Sequence, residues 1–485
     1  MFEILHKDIM GRIGKLQTPH GPIETPTLMP VINPNIEVIS SKEIEKMGAE
    51  IVITNAYIIS KTKELKKRAL EKGIQQTLGL NIPVMTDSGS YQLFVYGDVE
   101  ATNTEIVHFQ HEIKSDIIVP LDIPTPPDSS KETALNDLKI TIERIKEAKE
   151  MLTTLKSKSL LAAPIQGSTH LDLRRYCAKE IQHLNPDIYA IGALVPLLDS
   201  YRFCEIVKII LEIKSIISSS IPVHLFGVGH PMFFAVAVAL GCDLFDSAAY
   251  ALYAKDDRYL TPYGTKKLEE LRYFPCSCPI CLEYTPEEIR KMDRDKRCEL
   301  LAKHNLWISF QEIKMIKQAI KERSLFEFVE RRIRAHPNLL SAWRQIKDYT
   351  ELIDKFDPSI KQTFFYTGLE SLYRPAVKRY QKRILQINLK RKKYIISTEE
   401  LIPADFYLKP VFGPIPQELL ESYPAGHAEI PPIERIEREA IISAIKALKN
   451  FLNKNKDKKF IIKANKNWRE YLKNLPENAV IEWLI

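Results

Sequence analysis

The sequence lacks the features that mark a membrane protein or a secreted protein. No apolar run approaches the roughly 20 residues that a bilayer-spanning helix needs, and no basic segment followed by an apolar one stands at the N-terminus. Cysteine is scarce, with 7 among 485 residues, and an odd number does not suit a framework of disulfide bonds. We therefore expect a cytoplasmic protein without membrane contact.

Extremes of composition are absent as well. A hydrophobic share of 45% argues against disorder, and a net charge of +7 suits a polyanionic partner and simple solubility equally well. No internal repeat is visible. Because 485 residues exceed what one hydrophobic core usually organises, we expect a large domain followed by smaller ones.

Short β-branched or apolar runs alternate with amphipathic stretches over the first half of the chain. This alternation is typical of a parallel sheet whose strands are connected by helices. The eight predicted strands are Thr27–Val31, Ile51–Asn55, Val84–Asp87, Asp116–Asp122, Leu160–Gln166, Ile188–Gly192, Val223–Val228 and Asp243–Asp246. Eight strand–helix units predict an α/β fold of the (β/α)8 TIM-barrel type.

The C-terminal ends of these predicted strands carry mostly polar residues. The residues at or just past the ends are Asn55, Asp87, Asp122, Gln166, Gly192, His230 and Asp246. In TIM barrels this rim holds the active site. Any one aspartate could be a turn residue, but three on one rim favour a function. Two carboxylates facing one cavity can displace a group at an anomeric carbon, one as nucleophile and one as acid or base.

A cluster of cysteines follows the barrel. Cys276, Cys278 and Cys281 form a C-x-C-x2-C pattern, and His304 follows on a predicted helix. Three thiolates and one imidazole are the ligand set of a closed, structural zinc site, so we predict one Zn2+ without a catalytic role. The alternative is a redox or unpaired thiol cluster, but cysteines this dense beside prolines favour the metal.

Smaller elements are predicted outside the barrel strands. They are a hairpin of Ile9–Leu16 and Pro22–Thr25, a helical region from Pro286 to about Ala335, a basic stretch from Arg374 to Lys393, a helix at Glu434–Leu452, and strands at Phe460–Lys463 and Val480–Leu484. We expect the hairpin to cover the bottom of the barrel. The basic stretch suits either phosphate contacts or a solvated helix face.

Six segments closely resemble the archaeal tRNA-guanine transglycosylases in order and spacing. They are DSGSYQ (87–92), VPLDIPTPP (119–127), PIQGS (164–168), AIGALVPL (190–197), the run from FGVGHP to LTPYGT (226–265) and the CSCPIC…H array. The resemblance implies a catalytic barrel at residues 1–345 that includes a zinc-binding helical subdomain at about 270–345. Less sharply, PVFGPIPQ (410–417), Tyr423-Pro424 and Trp468-Arg469-Glu470 resemble the accessory domain of the same family. We therefore expect a basic linker or accessory region at 346–405 and a small α+β accessory domain at 406–485.

The resemblance also implies roles for single residues. Asp246 matches the aspartate that attacks the ribose anomeric carbon, and Asp87 matches the general acid or base, with the reverse assignment left open. The residues that match the base-binding positions are Ser88, Tyr91, Asp122, Gln166, Gly192 and Ala193. Tyr91 replaces the usual phenylalanine, and Ala193 replaces a usual glycine, which narrows the base pocket slightly.

Family membership implies a reaction and a set of partners. The reaction exchanges a guanine in tRNA, at position 15 of the D-loop, for 7-cyano-7-deazaguanine by double displacement, which is the first tRNA step of archaeosine synthesis. The expected partners are tRNA, the 7-deazaguanine base and a second copy of the chain. The PUA domain that is common in the family is not visible in the sequence, so we also expect a separately encoded PUA-domain protein.

Two other functions agree with parts of the pattern. A non-catalytic tRNA-binding paralogue or subunit would keep the fold but lose Asp87 or Asp246, and both aspartates are present. A metal-dependent barrel hydrolase would need His-x-His or clustered His and Asp at the strand ends, which the sequence lacks. We therefore predict an enzyme of the pentosyltransferase class.

Overall fold

An antiparallel three-stranded sheet precedes the barrel. The computed structural model describes residues 1–90 and 101–484, and the sheet consists of β1 Phe2–Asp8, β2 Gly11–Thr18 and β3 Gly21–Thr25. The predicted hairpin is therefore present, as β2 and β3. β1 was not predicted, since most of its side chains are exposed and its sequence has no clear alternation. Leu16 and Ile23 pack against residues inside the barrel, so the hairpin covers one end of it.

Eight parallel strands form the barrel. They are β4 Thr27–Pro30, β5 Val52–Asn55, β6 Val84–Asp87, β7 Ile117–Ile118, β8 Leu160–Ile165, β9 Ile188–Ile191, β10 Val223–Leu225 and β11 Leu244–Ser247. Strands β5 to β11 pair in chain order, and β11 pairs with β4. A parallel bridge between Val31 and Ile53 closes the circle, with the N–H of Ile32 donating to Ile53 O at 2.8 Å. The predicted TIM barrel is confirmed.

Helices connect the barrel strands. Their bounds are α1 Ser41–Lys46, α2 Ala56–Lys61, α3 Lys63–Lys72, α4 Ile74–Leu78, α5 Asn103–Glu112, α6 Lys131–Thr154, α7 Leu171–His183, α8 Val195–Asp199, α9 Phe203–Lys214, α10 Pro231–Ala239 and α11 Ala249–Lys255. α6 illustrates why they form. Ser130 caps its first turn by accepting from the N–H of Thr133, while Leu138, Ile142 and Ile145 bury one face.

A helical region with a small hairpin follows the barrel. Its elements are β12 Arg258–Thr261, β13 Gly264–Lys267, a 3-10 helix Leu268–Glu270, α12 Pro279–Glu283, α13 Pro286–Lys291, α14 Arg294–Glu322, α15 Leu325–Ile333 and α16 Pro337–Trp343. All these elements belong to the first of two compact units, Met1–Gln345. Among the described residues, no helix is long and apolar enough to cross a membrane.

The second unit, Ile346–Ile485, contains a five-stranded sheet whose strands lie in the order Gly413–Pro416, Phe406–Lys409, Lys393–Ser397, Lys459–Ala464 and Ala479–Trp483. Its helices and strands are α17 Thr350–Asp354, β14 Phe364–Phe365, α18 Pro375–Ile384, β15 Lys393–Ser397, β16 Phe406–Lys409, β17 Gly413–Pro416, β18 Ala428–Glu429, α19 Arg438–Lys454, β19 Lys459–Ala464 and β20 Ala479–Trp483. Three 3-10 helices also belong to this unit, at Leu369–Tyr373, Gln417–Leu419 and Lys466–Trp468. A fourth, Arg344–Tyr349, includes the last residues of the first unit and the first residues of the second. The predicted helix and the two predicted strands near the C-terminus are present.

Several side chains of the basic stretch are paired with acids of the same unit. Arg379 Nε donates to Asp354 Oδ1 at 2.9 Å, and Lys382 Nζ lies 3.3 Å from Glu351 Oε1. Arg391 pairs with Asp405. The stretch is therefore less basic as a surface than its sequence indicates.

A buried ion pair fastens the N-terminal sheet to the barrel. Arg12 donates from Nε and Nη2 to the two carboxylate oxygens of Asp243, at 2.8 and 2.7 Å. Asp243 also accepts from the N–H of Val223 at 2.8 Å. Val223 is the first residue of β10, and Asp243 directly precedes β11, so the pair lies at the N-terminal end of the barrel. Residues at that end of a TIM barrel are expected to stabilise the fold rather than to take part in chemistry.

Arg12→Met should lower the free energy of unfolding by about 3–5 kcal/mol, because Asp243 would stay buried without its cation. Chemical denaturation followed by circular dichroism measures the loss. Lys15→Met is the matched control, since Lys15 is exposed on the same strand. Equal stability of the two variants would contradict the role given to the pair.

Candidate active site and metal centre

Three carboxylates meet at the C-terminal rim of the barrel. Asp87 is the last residue of β6, Asp246 is the penultimate residue of β11, and Asp122 follows β7. Burial, together with the charges of Asp122 and Asp246, raises the pKa of Asp87 to about 7. The rim thus brings the predicted pair and a third aspartate close enough together for their charges to interact. Asn55, on the neighbouring strand, donates from Nδ2 to Asp87 Oδ2 at 3.3 Å.

Asp246 is held by two donors on one oxygen. His224 donates from Nε2 at 2.9 Å and the N–H of Gly227 donates at 2.7 Å, both to Oδ1. Oδ2 has no hydrogen-bond donor among the described residues. The two bonds fix the orientation of this carboxyl group and leave Oδ2 free to face a substrate. Sequence reasoning missed His224, whose only signal is a polar residue within an apolar strand.

Asp122 and Gln166 form a buried hydrogen-bond network at the rim. Gln166 Nε2 donates to Asp122 Oδ2 at 2.5 Å, and the backbone N–H of Asp122 donates to Ser90 Oγ at 3.1 Å. Ser88 Oγ lies 3.0 Å from Ser90 Oγ, so Ser88 joins the same network. Burial raises the pKa of Asp122. Gln166 Oε1 is buried and has no partner among the described residues, which leaves an acceptor for a ligand.

Gly192 and Ala193 shape the wall beside Gln166. A Cβ atom on Gly192 would lie 2.4 Å from Gln166 Nε2, so only glycine lets this amide reach Asp122. Ala193 has φ +59°, a left-handed conformation that glycine adopts more easily. Ser88, Asp122, Gln166 and the Gly192–Ala193 backbone therefore gather at one place. Tyr91, the remaining predicted base-binding residue, lies outside the described residues.

His230 lies in the loop after the seventh barrel strand, where it caps a helix. Its Nδ1 accepts from the N–H of Met232 at 3.2 Å, at the first turn of α10, and its Nε2 lies 3.0 Å from Thr265 Oγ1. Burial lowers the pKa of His230 to about 4, so the ring is neutral at physiological pH. Both ring nitrogens are therefore engaged in structural contacts.

The four predicted metal ligands lie together. One ligand atom from each of Cys276, Cys278, Cys281 and His304 lies within 4.8 Å of the others. His304 Nδ1 lies 3.4 Å from the Sγ atoms of both Cys278 and Cys281. Three sulfur atoms and one imidazole nitrogen around a point can hold a metal ion in tetrahedral geometry.

Neighbouring groups orient the histidine of this cluster. His304 Nε2 lies 2.9 Å from the backbone oxygen of Leu260 and donates to it, which leaves Nδ1 as the free lone pair that faces the thiols. The ring of Tyr259 stacks on the His304 ring with centroids 3.6 Å apart, and its hydroxyl lies 3.4 Å from Cys281 Sγ. The cluster is thus arranged for coordination.

Similarity to known proteins extends over the whole chain. The model of the queuine tRNA-ribosyltransferase family matches residues 8–338, which include the barrel and the cysteine cluster. A tRNA-guanine(15) transglycosylase from Archaeoglobus fulgidus is 58% identical over 483 residues, covering 100% of this chain and 99% of that relative. The chain belongs to the tRNA-guanine transglycosylase family. The predicted family and the predicted enzyme class are thereby confirmed.

Two further members of the transglycosylase family show how coverage varies. The tRNA-guanine(15) transglycosylase of Methanosarcina mazei is 52% identical over 435 residues, or 89% of this chain and 88% of the relative. That of Methanocaldococcus jannaschii is 49% identical over 458 residues, or 90% of this chain but only 70% of the relative. The family therefore includes chains that are longer than the part matched here.

Cys278→Ser should remove bound metal and lower the melting temperature together, because coordination energy contributes directly to folding. Elemental analysis of the purified protein and thermal melting measure the two effects. Cys298→Ser is the control, since Cys298 lies on the same helix as His304 but outside the cluster. A metal-free wild-type protein of full stability would contradict the expectation.

Proposed function

We propose that this transglycosylase exchanges the guanine at position 15 of tRNA for 7-cyano-7-deazaguanine. The single observation that carries the proposal is the difference between the environments of two rim aspartates: burial raises the pKa of Asp87 to about 7, whereas Asp246 accepts two hydrogen bonds on one of its oxygens. An acid or base and a nucleophile need these different environments. The printed names of the relatives support the position in tRNA.

Double displacement accounts for both carboxylates. Asp246 Oδ2 attacks the anomeric carbon of the ribose, the bond from that carbon to the base breaks, and protonated Asp87 gives its proton to the departing guanine. Asp87 then takes a proton from the incoming base, whose nitrogen attacks the same carbon and displaces Asp246. Two inversions give net retention, and Asp87 ends protonated as it began.

Base recognition falls to the Asp122–Gln166 network. Guanine and 7-deazaguanines share the N1–H and 2-amino donors, and the Asp122 carboxylate with the unpartnered Gln166 Oε1 offers acceptors for them. Adenine lacks these donors and would leave buried acceptors unpaired, which weakens its binding relative to guanine. Ser88, Tyr91, Gly192 and Ala193 complete the proposed base pocket.

The remaining roles follow from the same assignment. We propose that the Cys3His cluster holds one structural Zn2+, since all four positions come from protein and none is left for water. Residues 1–345 would form the catalytic domain, including a zinc part at about 270–345, and the rest would serve as accessory structure for tRNA. We further propose a cytoplasmic homodimer that is assisted by a separate PUA-domain protein.

Asp246→Asn should lower the exchange of labelled guanine into tRNA by about 1,000-fold or more, because the amide is a poor nucleophile. Asp87→Asn should also exchange guanine more slowly. This variant keeps the Asp246 carboxylate, however, so it should still form a covalent tRNA adduct, whereas Asp246→Asn should not. Filter retention of labelled tRNA and denaturing gels report both. Asp256→Asn, an exposed position of the same unit, is the control. An adduct in Asp246→Asn would reverse the assignment.

The rate of adduct formation in a single turnover should fall as pH rises through about 7, because only protonated Asp87 can donate to the leaving guanine. A profile measured on both sides of neutrality tests this. The raised pKa also means that the folded state binds this proton more tightly than the unfolded state. Asp87 therefore costs stability progressively as pH rises from the ordinary aspartate pKa to about 7. A rate that rises through neutral pH would refute the acid role.

A further inference from the structure

Arg174 is a buried cation behind the rim of the barrel. Its side chain is 0% exposed on α7, and no carboxylate among the described residues lies within ion-pair distance of it. Its Nη2 has no hydrogen-bond partner in the described part of the chain. Burial lowers the pKa of Arg174 to about 10, so the charge is retained at a cost. Ion pairing does not account for an arginine at this position.

The other guanidinium nitrogens tie together the ends of two neighbouring barrel strands. Nη1 donates to the backbone oxygens of Ile165 at 2.7 Å and Gly192 at 3.0 Å, and Nε donates to Ser168 O at 2.8 Å. Ile165 directly precedes Gln166, and Gly192 lies against the Gln166 amide. One side chain therefore fixes the backbone on both sides of the residue that contacts Asp122.

The loops held in this way have an unfavourable backbone conformation. Ser168 has φ +51° and Ala193 has φ +59°, both in the left-handed region, and neither is glycine. Such residues persist where the surroundings hold them, and the carbonyls bound by Arg174 lie at Ser168 itself and immediately before Ala193. Cys177, one turn further along α7, accepts from the N–H of Gln166 at 3.4 Å.

We propose that Arg174 is a positioning residue for base recognition. It holds Gln166 and the Gly192–Ala193 backbone at the spacing that the base requires, and it does so from behind, without touching the base. This inference rests on the proposed function of the rim. The expected effect is selective. Loss of Arg174 should raise KM for the free base and leave the Kd for tRNA unchanged, because none of the contacts of Arg174 reaches the protein surface.

The test compares Arg174→Met with Lys214→Met. Lys214 is also a buried cation of the first unit, but it donates to Gly241 O at 3.3 Å before β11, at the opposite end of the barrel. Guanine exchange gives kcat and KM for the base, and filter binding gives the Kd for tRNA. We expect Arg174→Met to raise KM for guanine about 10-fold or more, with tRNA Kd unchanged, and Lys214→Met to leave that KM unchanged.

An unaltered KM with only a smaller fraction of active enzyme would overturn the proposal, because it would show a merely structural role. If Arg174→Met is insoluble, Arg174→Lys, which keeps the charge but not the span of the guanidinium, takes its place with the same expectation. Failure of both to fold would assign Arg174 to folding alone and also overturn it. A wild-type protein without exchange would refute the proposed function separately, and calorimetry of guanine binding would then compare the same variants without turnover.

Discussion

The active rim depends on one constraint, which is that three aspartates lie close enough together for the charges of two of them to act on the third. Like charges this close cannot all ionise cheaply, so the surroundings must treat each carboxyl differently. Asp246 receives the His224 and Gly227 donors, Asp122 receives the Gln166 amide, and Asp87 holds its proton to about pH 7. In the proposed mechanism, these three environments let one residue type supply a nucleophile, a group that binds the base and an acid or base.

Such an arrangement needs backbone that does not move, and the barrel supplies it by separating its two ends. The N-terminal end carries the Arg12–Asp243 ion pair and the covering hairpin, which serve the fold. The C-terminal end carries the carboxylates, the left-handed residues Ser168 and Ala193, and the buried Gln166 Oε1, which has no partner among the described residues. Each of these costs stability, and the contacts at the N-terminal end help to offset that cost.

The parts of this design that repeat locally could be predicted from the sequence. Each barrel strand is a short β-branched or apolar run, and the zinc-type spacing of Cys276, Cys278 and Cys281 is written in consecutive residues. His224 and Arg174 could not be predicted, because their meaning lies in contacts with Asp246 and with two strand ends that the chain order does not bring together. In the second unit, the sheet places Lys393–Ser397 between Phe406–Lys409 and Lys459–Ala464, and sequence order does not determine that arrangement. The ion pairs of the basic stretch could not be predicted for the same reason, since Arg379 contacts an acid 25 residues earlier in the chain.

The cysteine cluster lies where a short helix after the barrel has few apolar contacts. Helix Pro279–Glu283 buries none of its own residues, so it has no hydrophobic face with which to hold its place. Coordination by Cys278 and Cys281 would join it to His304 in the long helix Arg294–Glu322, and His304 is in turn bonded to Leu260 of the strand Arg258–Thr261. That strand follows Asp246 by one helix, Ala249–Lys255, along the chain. Metal coordination at the cluster could therefore replace a missing apolar core shortly after the chain leaves β11, the strand of Asp246, and a metal held by four protein ligands would act on the fold rather than on the substrate.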